Sequence, residues 1–512
     1  MMLSRRTVAV HTLALLVTAS LAQGCNSGPL PFEYNKVSQL VVCGEVPECD
    51  QAVTVAADSQ ALLVTDAKAL SALPIEDVLD RLISANSGAV DLTPLQLLQR
   101  MFDTNNDSAT GQFEGATHCD SGDNVAHANG PAASCPRPEG ALAKSDGLLE
   151  PGHPDHFMPV AVVNRIDLTT VAGGSCGEYR IVYAKESGLE DPDDRVFIIF
   201  EANLPNPEPG CLLGCRPVAE FWKGLESEKD PAVLGEKLRS FFLDGLPGFT
   251  PLITAENLGL GSSGGYNGGV TGQVRLSQHM GADWELRQFS AGFDFGGTFG
   301  LQPVLVGNNP FPEYFEPMPE GSAGAHDLYI DELVFTNVPA LATSSIPRMS
   351  ATTSLSFLSG ESALGGEAVN DYVSRAQGNE ALLEALQTRI DQSGLSADCP
   401  VDDPLTAESI VRRATVQSCA GCHAPTQLLG PERKLGCGLV FPDTLGEVQI
   451  DERGNLSPAL TEVFLPHRAE VLTAYLQACN EEEILEHFTT AAQGEVGTRS
   501  ARPRTLGGST TH

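Results

Sequence analysis

Two periods of hydrophobic positions divide the chain. From Asp77 to Phe102 apolar residues recur at three- and four-residue spacings, Leu79 and Leu82 before Gly88 and Leu95, Leu98, Met101 and Phe102 after it, which predicts a pair of amphipathic helices. From about residue 158 to 345 the period becomes two, with turn clusters between the runs. Tyr179 to Tyr183, Arg195 to Phe200 and Asp327 to Phe335 therefore read as strands. After the Gly/Ser-rich stretch from Ser359 to Gly366 the helical period returns over Asn370 to Ile390. It appears again over Leu405 to Val416 and over Ser457 to Leu476, where Leu460, Val463, Phe464, Val471, Leu472, Tyr475 and Leu476 share one side.

The expected fold class is multidomain: a β-rich (α+β) N-terminal region followed by a small all-α domain. The boundaries are a mixed helical and loop region at 26–157, a β-rich domain at 158–358, a linker and helix at 359–398, the all-α domain at 399–480, and a flexible tail at 481–512. At 512 residues the chain exceeds what one core usually organises. Its net charge of -35 repels phosphate backbones and excludes nucleic acid as a partner.

Arg5 and Arg6 followed by the apolar run Val8 to Leu21 form an export signal at 1–25, too short to span a bilayer comfortably. The run Leu21-Ala22-Gln23-Gly24-Cys25 resembles the lipobox of bacterial lipoproteins, which would make Cys25 a lipidated residue and supply an outer-membrane anchor. Simple cleavage at Ala-Gln-Gly, leaving an unlipidated chain, is the competing reading. Either way the expected location is the periplasm or the outer membrane surface, where thiols pair. Of the 13 cysteines, 10 remain after Cys25 and the pair discussed next are set aside, an even number suited to disulfides. The short loops Cys43 to Cys49 and Cys119 to Cys135 are the easiest closures, although sequence alone does not fix the connectivity.

Ser418-Cys419-Ala420-Gly421-Cys422-His423 is the most specific signal. Two thiols three residues apart can form thioethers to the vinyl groups of a haem, and the next residue offers an imidazole to its iron. Half of a zinc site or a dithiol redox pair are the alternatives, although no second C-x-x-C or paired histidines lie nearby. With a helix before the motif and another closing the segment, residues 400–480 resemble a class I cytochrome c domain. Phe441-Pro442-Asp443, Phe464-Leu465-Pro466-His467-Arg468, Cys176-Gly177-Glu178-Tyr179-Arg180 and Trp284-Glu285-Leu286-Arg287 resemble stretches in large exported proteins of myxobacteria that join a β-rich region to such a domain.

The resemblance implies one covalent haem c per chain, His423 as proximal iron ligand, and electron transfer with a redox partner protein rather than catalysis. Class I domains usually take a later methionine as second ligand, but no methionine follows Met349. His467, 44 residues beyond His423, is the candidate distal ligand; an open site, Met349 and His487 are the other readings. An open iron site would suit a sensor or peroxidase-like enzyme. A third reading is a surface binding protein with an accessory haem domain.

Weaker signals are set against their ordinary explanations. Asp103 to Glu114 partly matches a calcium-binding loop, but Ser108 replaces the turn glycine, so an Asx-rich loop is expected. His153 and His156 flank a proline in a loop. Gly259 to Gly265 fits two glycine-rich templates but continues into Gly268 and Gly269, the composition of a loop. Arg165, Asp167, Glu178 and Arg180 are expected as cross-strand ion pairs.

Overall fold

A strand points successive side chains to opposite faces, so runs of mostly apolar residues at both parities must be covered twice. Such runs dominate the middle of this chain. The computed structural model describes residues 52–86, 91–109, 113, 117–119, 135–170, 173–260, 272–281, 283–294, 296–318, 324–365 and 370–489. The export signal with Cys25, the residues Cys43 and Cys49, much of the loop from Asp103 to Glu114, the run from Gly261 to Gly269 and the side chain of His487 lie outside the described residues.

Strands β1 (Leu63–Val64), β2 (Phe157–Arg165), β3 (Ser175–Lys185), β4 (Asp194–Pro205), β5 (Gln273–Met280), β6 (Glu285–Phe293) and β7 (Phe299–Val304) follow one another in space as in sequence. Each pairs antiparallel with the next, and the short β8 (Ser362–Ala363) pairs with β6 at Glu285 and Leu286. The run of consecutive strands thus ends at Val304 rather than near residue 345, and β8 is added to the sheet from beyond it.

Tyr179, Ile181, Tyr183, Ile198, Phe200, Val274 and Leu276 project to one face, under the helices Arg216–Leu225 and Pro231–Leu243. In chain order the helices used below are α1 (Ile75–Ser84), α2 (Pro94–Asp103), α3 (Arg216–Leu225), α4 (Pro231–Leu243), α5 (Ala325–Glu332), α6 (Glu380–Ser393), α7 (Ala407–Thr415), α8 (Cys419–His423) and α9 (Leu465–Gln477). Tyr179 stacks on Trp222 of α3 at 5.7 Å and meets Phe241 of α4 edge-on at 5.0 Å, which joins the sheet to both helices. Helices α1 and α2 stand where the sequence period places them. Thr93 caps α2 reciprocally with Gln96, and Pro94 occupies its first turn.

Arg180, Val182, Phe197, Ile199, Glu201, Arg275 and Ser277 project to the other face. There the C-terminal part of the chain returns, with Val448, Ile450, Leu460 and Phe464 opposite the strands. The described residues belong to one compact unit, and its main hydrophobic cluster joins sheet residues to Val416, Cys422, Phe441 and Leu472. Residues 399–480 therefore pack as the second cover of the sheet.

Asp327 to Phe335 departs from expectation: it forms α5 and a π-turn over Leu333–Asn337 instead of a strand. Leu328 and Phe335 are 61% and 60% exposed, whereas Tyr329 and Leu333, four residues apart, are buried. The short apolar run had two compatible periods, and tertiary packing selected the helical one. These residues help form a second cluster with Ile410 and Val411 of α7. Beside it the fully buried Arg413 donates to the carbonyls of Leu341, Thr343, Leu435 and Gly436 at 2.8–2.9 Å.

Disulfides join Cys119 to Cys135, Cys176 to Cys215 and Cys399 to Cys437; Cys211 and Cys479 are also disulfide-bonded. The Cys399–Cys437 bond closes a loop that contains α8. Among the described residues no helix is long and apolar enough to cross a membrane.

Because α9 and the sheet share one core, Leu472→Ala is expected to lower stability by about 2–5 kcal/mol without splitting the unfolding transition. Urea titrations followed by tryptophan fluorescence and by far-UV circular dichroism should coincide. A separate, earlier transition for the C-terminal segment would show that the two parts fold independently.

Candidate functional site

The five residues of α8 are fixed from three sides. Ser418 accepts the Gly421 N–H at 3.1 Å and donates to the Thr415 carbonyl at 2.8 Å, so the preceding turn caps the helix. A Cβ on Gly421 would come within 1.8 Å of the Thr415 oxygen, which restricts that position to glycine. The Ala420 N–H donates to Ser362 Oγ of β8 at 3.0 Å, tying the helix to the sheet edge.

Two elements position His423. Trp284, just before β6, stacks on its ring with centroids 4.8 Å apart and planes 24° apart. Its Nδ1 lies 2.7 Å from the Glu447 carbonyl oxygen, which can only accept, so Nδ1 carries the proton and Nε2 keeps a lone pair. Burial pulls the His423 pKa down to about 4, keeping the ring neutral near pH 7. Glu447 has a left-handed backbone, φ 69°, and its side chain is held by Gln427 at 2.5 Å and His279 at 3.3 Å. The carbonyl facing His423 is thus anchored to β5 on one side and to the helical turn Pro425–Leu429 after α8 on the other.

Cys419 and Cys422 are buried and remain thiols, whereas the eight other described cysteines are disulfide-bonded. Burial pushes both thiols up, Cys422 to about 12 with a further contribution from Cys419. Gln449 donates to the Cys422 carbonyl at 3.0 Å and to its sulfur at 3.4 Å.

Cys419 and His423 line a cavity between the sheet and the returning C-terminal segment. Val163, Val182, Phe197 and Ile199 form its sheet wall, and Ile450, Leu460 and Phe464 the opposite wall. Arg180, Glu201, Arg275 and Arg468 supply its charges. Around them Arg165 holds Asp167 in a two-pronged contact at 2.9 Å, Arg180 donates to Glu178 at 2.6 Å, and Arg180 pairs with Glu201 at 3.3 Å. The expected ion pairs are therefore present, but Arg165 pairs with Asp167 two residues along the chain, as does Arg180 with Glu178.

The structure brings Cys419, Cys422 and His423 together and places His467 elsewhere. His467 does not line the cavity; its Nδ1 faces Glu470 at 3.7 Å, and Asp167 and Arg348 are its other charged neighbours. One residue further along α9, Arg468 takes the lining position. Met349 is buried in the main core. His153 and His156 are engaged locally, with Asp155 and Glu186, and Asp103 is committed to His118 and Asn106. Sequence reasoning gave no role to Arg275, Trp284 or the Glu447 carbonyl, because each reaches the motif through contacts distant in sequence.

A neutral imidazole with an available nitrogen beside two thiols, on the wall of a mostly apolar cavity, is a set able to hold a prosthetic group. Among the described residues no three His, Cys, Asp or Glu side chains group as a metal site. Compared with known proteins, the chain matches no protein family, no curated protein and no solved structure.

With both thiols buried and raised, the folded chain carrying nothing on its cysteines should label slowly with iodoacetamide at about pH 8 and rapidly once unfolded. Mass spectrometry of the peptide containing Cys419 and Cys422 reads this directly. Fast labelling of the native chain would contradict the buried placement. Gly421→Ala should make the same peptide label readily by displacing α8 from Thr415.

Proposed function

We propose that this chain is an exported protein carrying one covalently attached haem c, held by Cys419 and Cys422 with His423 as the proximal iron ligand, and that it serves electron transfer. The observation that carries the reading is the pairing of two buried thiols with an imidazole whose Nδ1–H is committed to the Glu447 carbonyl, with Cys419 and His423 lining one mostly apolar cavity. An imidazole ligand generally has its second nitrogen held in this way, which fixes its orientation and raises its basicity. The disulfides support an oxidising, exported location.

The residues fit the group. Each thiol would add across a vinyl double bond, sulfur to one carbon and hydrogen to the other, with no external oxidant. When bound, the haem supplies a one-electron iron couple. Trp284 and the Glu447 carbonyl orient His423, while Val163, Val182, Phe197 and Phe464 exclude water from the cavity interior.

One observation favours a second reading, an iron site open to small ligands as in a haem sensor or a peroxidase-like enzyme. Apart from His423, no histidine, methionine, lysine or tyrosine is among the described residues lining the cavity.

The test is a pyridine haemochrome assay and a reduced-minus-oxidised spectrum on protein produced with a c-type haem maturation system. Covalent haem is expected in the wild type and should be lost when Cys419 and Cys422 are both replaced by serine. No covalent haem in the wild type would overturn the proposal. Carbon monoxide binding to the reduced protein would favour the open-site reading over a sealed electron carrier.

A further inference from the structure

Buried guanidinium groups ordinarily find acceptors, as Arg413 does with four backbone carbonyls. Arg275 and Arg468 are nearly as deeply buried, 4% and 3% exposed, and both line the cavity beside Cys419 and His423. Neither makes a hydrogen bond within the described residues. Arg275 has Glu201 at 3.5 Å, with its Nε buried and unbonded, and Arg468 has Asp167 at 3.9 Å.

The local charges do not balance. Among the described residues four guanidiniums, of Arg165, Arg180, Arg275 and Arg468, face three carboxylates, of Asp167, Glu178 and Glu201. Glu201 is already shared, accepting from Gln273 at 2.6 Å and pairing with Arg180. Burial, and then the neighbouring Arg165, pull the Arg468 guanidinium well below its ordinary range. A surplus of buried, unbonded cation is strongly unfavourable unless an anion joins it. The planar guanidinium fork suits a carboxylate, which it can grip through two parallel N–H donors.

We infer that Arg275 and Arg468 form a carboxylate-binding subsite between the sheet and α9 and that its occupant is a propionate of the haem held by α8. This inference rests on the haem reading above. A haem is apolar except at its iron and its propionates, and the cavity is apolar except at His423, Gln449, Ser277 and the Arg/Glu group. The β-rich region would then be half of the cofactor site.

The experiment measures the midpoint potential of the haem-bearing full chain against pH, for wild type and for Arg275→Gln, Arg468→Gln and Arg275→Lys. A propionate beside a guanidinium should ionise about 1–3 pH units lower than one without, so the pH-dependent step in the potential should move up by about that much in either glutamine variant. Arg275→Lys should keep most of the wild-type profile. Should Arg275→Gln fail to fold, Arg468→Gln, on α9 and outside the sheet, carries the test.

Unchanged profiles in haem-bearing variants overturn the inference while leaving covalent attachment intact. Absence of haem in the wild type strikes the earlier reading instead. In a second arm, inorganic phosphate is titrated into the wild type at constant ionic strength and the Soret band is followed. No response is expected. A saturable response that Arg275→Gln and Arg468→Gln abolish would assign the guanidiniums to an external anion and overturn the propionate assignment.

Discussion

An antiparallel sheet buried on both faces, one of them apolar and the other mixing Val182, Phe197 and Ile199 with paired charges, cannot leave either face to water, and the rest of this structure follows from that constraint. Strands β2 to β6 are buried on both sides through most of their length. Helices α3 and α4 cover one face with Trp222, Phe241 and Phe242. The other face is covered only when the chain returns more than two hundred residues after β4, and the returning segment carries α8. The chemistry-bearing motif sits on the sheet because the sheet needs its cover.

That arrangement alters what the β-rich region is for. Trp284 and Glu285 lie at the start of β6, Ser362 in β8 and Arg275 in β5, and through them the sheet reaches the ring of His423, the backbone of α8 and the wall of the cavity. A free-standing all-α haem domain would wrap its cofactor with its own helices. Here the strands supply one side of the enclosure, together with most of its charge.

The sequence made the local parts of this legible and hid the joins. Helical spacing located α1, α2, α6 and α7, and period-two runs located β3 and β4, because each depends on neighbours within a few positions. Asp327 to Phe335 was misread since nine residues can satisfy either period. The motif announced itself through chemistry at fixed spacing. Its surroundings did not: Arg275 reads as one charged residue in an amphipathic strand, and the Glu447 carbonyl has no side-chain signature. The choice between His467 and Arg468 turns on about 100° of helix rotation, finer than the pattern of apolar positions resolves.

The Cys399–Cys437 bond, which encloses Cys419 and Cys422 between its two ends, also bears on how the chain would weather proteases. A single backbone cut anywhere between those ends would leave α8 covalently tethered through one side of the closed loop, and β8, Trp284 and the Glu447 loop would still hold it in register. Losing the motif would take two cuts, one on each side of it, so the part of the molecule with the most to lose from nicking is retained after the first.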